Sequence, residues 1–321
     1  MELQTKALYN LLRMNYEQDP SIACESWQVE DLRSLPQEEL FNRLKAAGMQ
    51  LDAETLYHFV EECDSPEDLA ELLLEEHDEP EMHDRLYLTL FELWRRLFPE
   101  RQALSIFCDE FDHRIGLYDA GALESDEPIQ DAFAYLIEIF NQNTDAGAEP
   151  AEILDSVNSH CAHDIMNFLI EYISELLDGG NELYASELIE HFAPYTQDAA
   201  WFDFLRVRLV AFSDPMGANH LLAALLKVKE AMTLDLLMEM LRFLTVFGER
   251  PVFMETVQQI LPFIQVKEEF EEMIELTADY FHRRDRDDLE QEVLKLMKKE
   301  TFDPSDLKAF ERVLEPLTIN V

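Results

Sequence analysis

Two histidines and an aspartate with the chemistry of metal ligands lie close together near the middle of the chain. His160, His163 and Asp164, in the stretch HCAHD, stand at positions i, i+3 and i+4, so on a helix they would share one face. Imidazole nitrogen and carboxylate oxygen suit zinc or iron. One short segment cannot complete a metal site, and the sequence contains no H-E-x-x-H or C-x-x-C motif. The stretch predicts either a metal site or the polar start of a helix.

Other chemistry-bearing spacings are incomplete. His77 and His83 lie in the acidic stretch HDEPEMHD, where solvated side chains are the simpler interpretation. Glu110 and His113 form one E-x-x-H pair, whereas a di-iron helical bundle needs two such pairs and two further glutamates. The glycine-rich motifs that cradle nucleotide phosphates are absent. We therefore predict no cofactor and no catalytic residue.

The charge of the chain restricts its partners. Its 321 residues include 68 Asp and Glu against 25 Lys and Arg, a formal net charge of −43. Such a charge repels nucleic acid and anionic membranes and favours basic partners. The 91 residues of segment 115–205 hold nineteen acidic residues and no Lys or Arg. This segment is either a solvated acidic surface or a contact surface for something cationic.

Compartment and membrane topology are also indicated by the sequence. The four cysteines, Cys24, Cys63, Cys108 and Cys161, are widely spaced, which predicts free thiols in a cytoplasmic protein. The first residues carry charges throughout and resemble neither a secretory signal nor an anchor. The nearest candidate for a membrane-spanning segment, 209–226, is broken by Asp214 and Pro215, so we expect no transmembrane helix.

The pattern of apolar residues predicts an all-α protein. Leu, Glu, Ala and Phe are abundant, glycine is scarce, and alternating β-branched runs are nearly absent. Polar and glycine-containing breaks suggest three parts: an N-terminal helical region (1–80), central helices (81–145), and a repetitive region with a C-terminal capping helix (146–321).

The third region contains a regular spacing. Predicted turns at Gly180, Pro215, Arg250 and Asp285 follow one another at intervals of 35 residues. Each turn separates two helical patterns, so the region predicts four antiparallel helical hairpins of one length placed end to end. The apolar face of one hairpin is too large to stay exposed, so we expect the hairpins to stack.

Aromatic and apolar positions support this repeat. In the first helix of each hairpin, Phe168, Trp201, Leu237 and Phe270 align at intervals of 33, 36 and 33 residues. Residues 160–300 thus resemble a degenerate tetratricopeptide-type array, with the best fit at WFDFLRVRLVAFSDPMGANHLL. Leu205 and Arg208 replace the small residue and the tyrosine of that family, and most units lack its closing proline. The resemblance implies an α-solenoid with an extended groove.

The resemblance also selects candidate binding residues. It places Arg206 and Arg242 at matching positions on successive first helices, facing the groove, with Glu275 in third place. Arginine in such a groove can hold the carboxylate of a partner. The alternative is ordinary pairing within each helix, because Asp203 and Glu239 stand three residues before the two arginines.

These observations lead to three functional hypotheses. The first is a non-enzymatic scaffold, adaptor or chaperone that binds a protein or peptide in a helical-repeat groove. The second is an acidic binder that uses segment 115–205 to imitate or shield a polyanion for a basic protein. The third is an enzyme with a helical metal site near His160 and His163.

Overall fold

The computed structural model describes residues 5–74, 79–196, 198–298 and 303–318. Within these ranges the chain forms seventeen α-helices, a few short 3-10 turns and no β-strand. The prediction of an all-α protein is confirmed. The described helices pack mainly against their neighbours along the chain.

The chain divides into two compact units, Met1–Phe168 and Leu169–Val321. The first unit contains α1 (Lys6–Gln18), α2 (Gln37–Ala46), α3 (Ala53–Val60), α4 (Pro66–Leu74), α5 (Pro80–Leu97), α6 (Leu104–Asp119), α7 (Glu127–Asp145) and α8 (Pro150–Asn158). The division falls inside α9 (Ile165–Asp178). The three segments expected from the sequence, 1–80, 81–145 and 146–321, stay a prediction.

Helix starts in the first unit follow capping chemistry. The side chain of Asp52 accepts a hydrogen bond from the backbone N–H of Thr55 at 2.8 Å, which caps α3. Ser65 accepts from the N–H of Asp68 at 3.1 Å and so caps α4. Residues 159–164 separate α8 from α9.

The core of the first unit is built around α5. Tyr87, Phe91 and Trp94 on this helix are fully buried, because its apolar stripe is wide enough to be covered on more than one side. Three of the four cysteines, Cys63, Cys108 and Cys161, are also buried, and all four are free thiols as predicted.

The second unit contains the remainder of α9 and eight further helices. They are α10 (Glu182–Phe192), α11 (Ala199–Ala211), α12 (Pro215–Leu225), α13 (Leu234–Phe247), α14 (Arg250–Ile260), α15 (Lys267–His282), α16 (Asp287–Leu294) and α17 (Pro304–Thr318). Helix α17 stands where the sequence predicts a capping helix, and its Phe310 is fully buried against the core of this unit.

The second unit shows the predicted breaks between helices. Gly180, between α9 and α10, has a φ of +74°, a left-handed conformation that glycine adopts without strain. Asp285, between α15 and α16, also has a positive φ of 53°. Helices α11 and α12, α13 and α14, and α15 and α16 form packed pairs. Across pairs, α11 contacts α13, α13 contacts α15, and α12 contacts α14.

Candidate functional site

The histidine-rich stretch forms the loop before α9, and its side chains bond within the protein. The Nδ1 atom of His160 lies 2.8 Å from the carbonyl oxygen of Ser156, at the end of α8. Asp164 accepts a hydrogen bond from the N–H of Asn167 at 3.0 Å and so caps α9. The polar helix start that the sequence offers as the alternative is therefore present.

His163 belongs to a cluster centred on Asp112 of α6. The buried carboxylate of Asp112 accepts hydrogen bonds from the N–H groups of Ala162, at 2.8 Å, and His163, at 3.0 Å. The Nδ1 atom of His163 lies 2.9 Å from the same carboxylate. These bonds fix the loop to α6, which gives His163 a structural role.

A different group has the spacing of metal ligands. Among the described residues, the ligand atoms of His282, Asp287 and Glu290 lie within 4.8 Å of one another, and no other three-residue group does so. His282 and Asp287 are exposed. His160, His163 and Asp164 do not form such a group, so the metal-enzyme hypothesis gains no geometric support there. His77 lies outside the described residues, and His83 lies beside Asp84 at 4.0 Å.

Glu110, of the E-x-x-H pair, belongs to an ion-pair network rather than to a pair with His113. Arg33 and Arg95 each donate to its carboxylate at 2.9 Å. Arg33 also bonds the buried Asp109. Burial lowers the pKa of His113, and the charge of Arg33 lowers it further, so the imidazole favours its neutral form.

Asp109 shows how this network balances a buried charge. Burial opposes its ionisation, but Lys6, Arg33 and a hydrogen bond from Asn10 outweigh that effect and lower its pKa to about 2. Lys6 lies 3.3 Å from the carboxylate, and Asn10 donates to it at 2.9 Å. Asp109 is therefore a fixed negative charge that ties α1 to α6.

The second half of the network surrounds Glu92, a buried residue of α5. Arg95 and Arg96 donate to its carboxylate at 2.6 and 2.5 Å. Arg96 also donates to the carbonyl oxygens of Leu35 and Leu32, at 2.7 and 2.8 Å. Each buried charge thus has partners, and the network connects α1, α5, α6 and the segment before α2.

The three binding residues suggested by the tetratricopeptide resemblance occupy different surroundings. Arg206 bonds Asp203 at 2.9 Å and lies 3.7 Å from Glu190 on α10. Arg242 lies 3.3 Å from Glu239, which confirms the pairing within each helix. Arg242 also bonds Glu272 of α15 at 2.7 Å.

Glu275 is the third member of that set. It is exposed on α15, one turn after Glu272. Among the described residues, no hydrogen bond or ion pair joins Arg206, Arg242 and Glu275 to one another. Their proposed partner-binding role stays a prediction.

Arg242 also borders a pocket in the second unit. The pocket has a volume of about 540 Å³ and lies among α9, α11, α13 and the start of α12. Its apolar walls include the buried Leu177 and Phe204 together with Phe212, Phe243, Val246 and Phe247. Phe243 stacks on Phe247 at a centroid distance of 5.1 Å and meets Phe204 edge-on at 6.0 Å. We call this concavity the aromatic pocket.

Exposure of apolar side chains distinguishes the aromatic pocket from a gap in the core. Phe212 is 48% exposed, Val246 51% and Phe247 45%. Large apolar side chains grouped around a concavity are typical of binding sites. Met216, which follows the pocket residue Pro215, is 64% exposed and extends the apolar surface.

Three apolar members of the pocket stand at the ends of α9, α11 and α13. Leu177, Phe212 and Phe247 are separated by 35 residues each time, and each stands at or beside the end of the first helix of its hairpin. Because α11 packs against α13, and Arg208 of α11 bonds α9, these helix ends lie side by side. Residues spaced 35 apart in the sequence therefore line one wall of the pocket.

The turn that carries Phe247 is held from two sides. Asn219 of α12, a buried residue, donates to the carbonyl oxygen of Phe247 at 2.8 Å and accepts from the N–H of Glu249 at 2.7 Å. Arg284, which follows α15, donates to the carbonyl oxygen of Gly248 at 2.6 Å. A fixed turn keeps Phe247 in place without a partner present.

Sequence reasoning selected Arg206 and Arg242 and did not identify this pocket. The signal is present in the sequence: Leu177, Phe212 and Phe247 each stand three residues before a predicted turn, at Gly180, Pro215 and Arg250. Large apolar residues at helical spacing are usually core residues, so the sequence alone does not mark these three as pocket residues.

Comparison with known proteins identifies no family. No family model matches this chain, and no curated protein or solved structure matches it significantly. Within the described residues, none of the helices combines the length and apolar character that crossing a membrane requires.

Proposed function

We propose that this protein is a non-enzymatic scaffold, adaptor or chaperone that binds a protein or peptide partner in the aromatic pocket. The half-exposed Phe212, Val246 and Phe247 carry the proposal, since they surround a pocket of about 540 Å³. Burying apolar surface of this kind is the main favourable term in protein association. The pocket has room for one or two large side chains of a partner.

In this proposal the hairpins of the second unit form a tetratricopeptide-like solenoid. Contacts between α11 and α13 and between α13 and α15 support it, because such repeats place their first helices side by side. The 35-residue spacing of Leu177, Phe212 and Phe247 supports it further. The groove would then lie along these first helices.

A photo-crosslinking amino acid at position 246 of the full-length chain tests the proposal in cells that express it. The control carries the same amino acid in place of Leu72 on α4, which is 45% exposed and outside the pocket. We expect a discrete adduct from position 246 that the control lacks. The captured protein is then purified, and its affinity is measured for the wild type, for Val246→Ser and for Leu72→Ser.

A second candidate function rests on charge alone. Segment 115–205, with nineteen acidic residues and no Lys or Arg, would bind or shield a basic protein. Residues 115–168 belong to the first unit and residues 169–205 to the second. Binding of this kind weakens steeply between about 50 and 300 mM salt and does not depend on Val246, which separates it from pocket binding.

A further inference from the structure

The aromatic pocket is bordered by acidic residues on the α9 side. Asp178, which lines the pocket, is 78% exposed although it bonds Arg208 at 2.6 Å. Residues 169–205 of this unit hold no Lys or Arg. Acidic residues therefore outnumber basic ones on α9 and α10. A partner that covers the pocket must approach this acidic border.

A second acidic border lies beyond α13, on α15. Glu268, Glu272, Glu275 and Asp279 follow one another at intervals of four, three and four residues and so share one face of the helix. We call these residues the α15 acidic stripe. Glu272 joins it to the pocket, because its carboxylate bonds the pocket residue Arg242 at 2.7 Å.

Only two of the four residues in the α15 acidic stripe have a basic partner. Asp279 bonds Arg283 at 2.8 Å, and Glu272 bonds Arg242. Glu268 and Glu275 are exposed and form no ion pair with any described residue. The stripe therefore presents unbalanced negative charge beside the pocket.

The two arginines in the pocket do not call for an acidic partner. Arg208 is bonded to Asp178 and to the carbonyl oxygen of Ser174, and Arg242 is paired with Glu239 and Glu272. An incoming carboxylate would have to displace an existing one and would meet repulsion from both borders. A partner cation, in contrast, can pair with the exposed carboxylates of Glu268 and Glu275, which form no ion pair with any described residue.

We infer that the partner of the aromatic pocket is a cationic amphipathic segment of another protein. Its apolar side chains fill the space beside Phe212, Val246 and Phe247, and its Lys or Arg side chains contact Asp178 and the α15 acidic stripe. An amphipathic helix presents both properties at once, with apolar residues at i, i+3, i+4 and i+7 and bases on its flanks. This inference rests on the proposed function of the pocket and specifies its partner.

Fluorescence anisotropy with the full-length chain and labelled peptides of about 18 residues tests the inference. The first peptide is an amphipathic Leu/Phe/Lys helix. The second has the same composition in an order that destroys the apolar stripe, and the third keeps the stripe but carries Glu in place of Lys. We expect the first peptide to bind at least about tenfold more tightly than either of the others, a difference of about 1.4 kcal/mol.

Protein variants assign the binding to the pocket and to the stripe. Val246→Ser should weaken binding of the first peptide about fivefold to tenfold, whereas Leu72→Ser on α4 should leave it within about twofold. Glu268→Gln with Glu275→Gln should weaken it severalfold, and the effect should disappear at about 300 mM salt. The matched control, Glu54→Gln with Glu71→Gln, removes two exposed carboxylates of the first unit that form no ion pair with any described residue, and it should change little.

Each opposing result has a distinct meaning. Equal or tighter binding of the Glu peptide overturns the inference and leaves the pocket as a binding site for another class of partner. Equal binding of the second peptide, which lacks the apolar stripe, also overturns the inference. Charge alone would then explain the attraction. If no peptide binds, the inference fails, and crosslinking at position 246 decides the proposed function independently.

Discussion

Arg208 on α11 donates a hydrogen bond to Asp178 on α9 at 2.6 Å. The same guanidinium donates to the carbonyl oxygen of Ser174 at 3.2 Å. These bonds join α11 to α9 at the pocket wall. Arg206, on the same helix, instead bonds Asp203 within α11. Two arginines separated by one residue thus have different structural roles.

The first prediction compares these two arginines. Arg208→Gln should lower the free energy of unfolding by about 1–2 kcal/mol, because it removes an interhelical hydrogen bond and an ion pair with an exposed partner. Arg206→Gln should lower it by less than about 0.5 kcal/mol, because its partners are exposed. Urea denaturation followed by circular dichroism measures both values. Equal losses would contradict the bridging role of Arg208.

The second prediction concerns the turn that carries Phe247. Asn219→Ala removes the donor to Phe247 and the acceptor for Glu249, leaving two partly buried backbone groups without partners. We expect a loss of about 2–3 kcal/mol in unfolding free energy. The control is Asn143→Ala, since the exposed side chain of Asn143 donates to the carbonyl oxygen of Ile139 in its own helix. A loss below about 0.5 kcal/mol for Asn219→Ala would show that the turn does not depend on this residue.

The third prediction tests the loop that carries the histidines. Asp112→Asn replaces a carboxylate that accepts from Ala162 and His163 with an amide that has only one acceptor atom. We expect a loss of about 3 kcal/mol or more, because the site is buried and charged. Asp164→Asn, at the exposed start of α9, should cost under about 1 kcal/mol, since Asn also caps helices well. Similar small losses for both variants would remove the structural role assigned to Asp112.

The fourth prediction is the acid sensitivity of the first unit. Asp109 has a folded pKa of about 2, below the value of about 3.9 for an unfolded Asp. Its stabilising contribution is therefore complete above the unfolded value and is lost as pH falls from about 5 to 2. The expected loss is roughly 2–3 kcal/mol.

Urea denaturation at a series of pH values measures this loss. Tryptophan fluorescence in a Trp201→Phe background reports the first unit, because Trp27 and Trp94 lie there. In this background, the protein with Asp109 should lose stability more steeply between about pH 4 and 2 than the Asp109→Asn variant, which lacks this titration. Parallel pH profiles for the two proteins would contradict the assignment of charge to Asp109.

Local features of this fold are predictable from the sequence. Gly180 interrupts a helical pattern because glycine tolerates a positive φ, and the structure has that conformation there. Asp52 and Ser65 precede helical patterns and cap the corresponding helices. Such features depend on a few neighbouring residues, so the sequence contains the information directly.

The charged network of the first unit was not predictable in the same way. Asn10 meets Asp109 and Asp112 across about a hundred residues of chain. With 68 acidic residues in the chain, nothing in the sequence marks Asp109 or Asp112 as buried. Burial of a carboxylate depends on which helices pack together, and a single-helix pattern does not contain that information.

The candidate site was predictable in part. The 35-residue spacing predicted the ends of the hairpin helices, and those ends hold Leu177, Phe212 and Phe247. Their grouping in one pocket required the side-by-side contacts of the first helices. The pairing of Arg206 with Asp203 followed from helical spacing, whereas the bond from Arg242 to Glu272 on α15 did not.

The most direct test of the proposed function is the affinity of the partner captured at position 246 for the purified variants. Val246→Ser should raise the dissociation constant about fivefold to tenfold, while Leu72→Ser, of similar exposure, should change it by less than about twofold. A partner that binds Val246→Ser as tightly as the wild type, or no adduct beyond that of the control position, would contradict binding in the aromatic pocket.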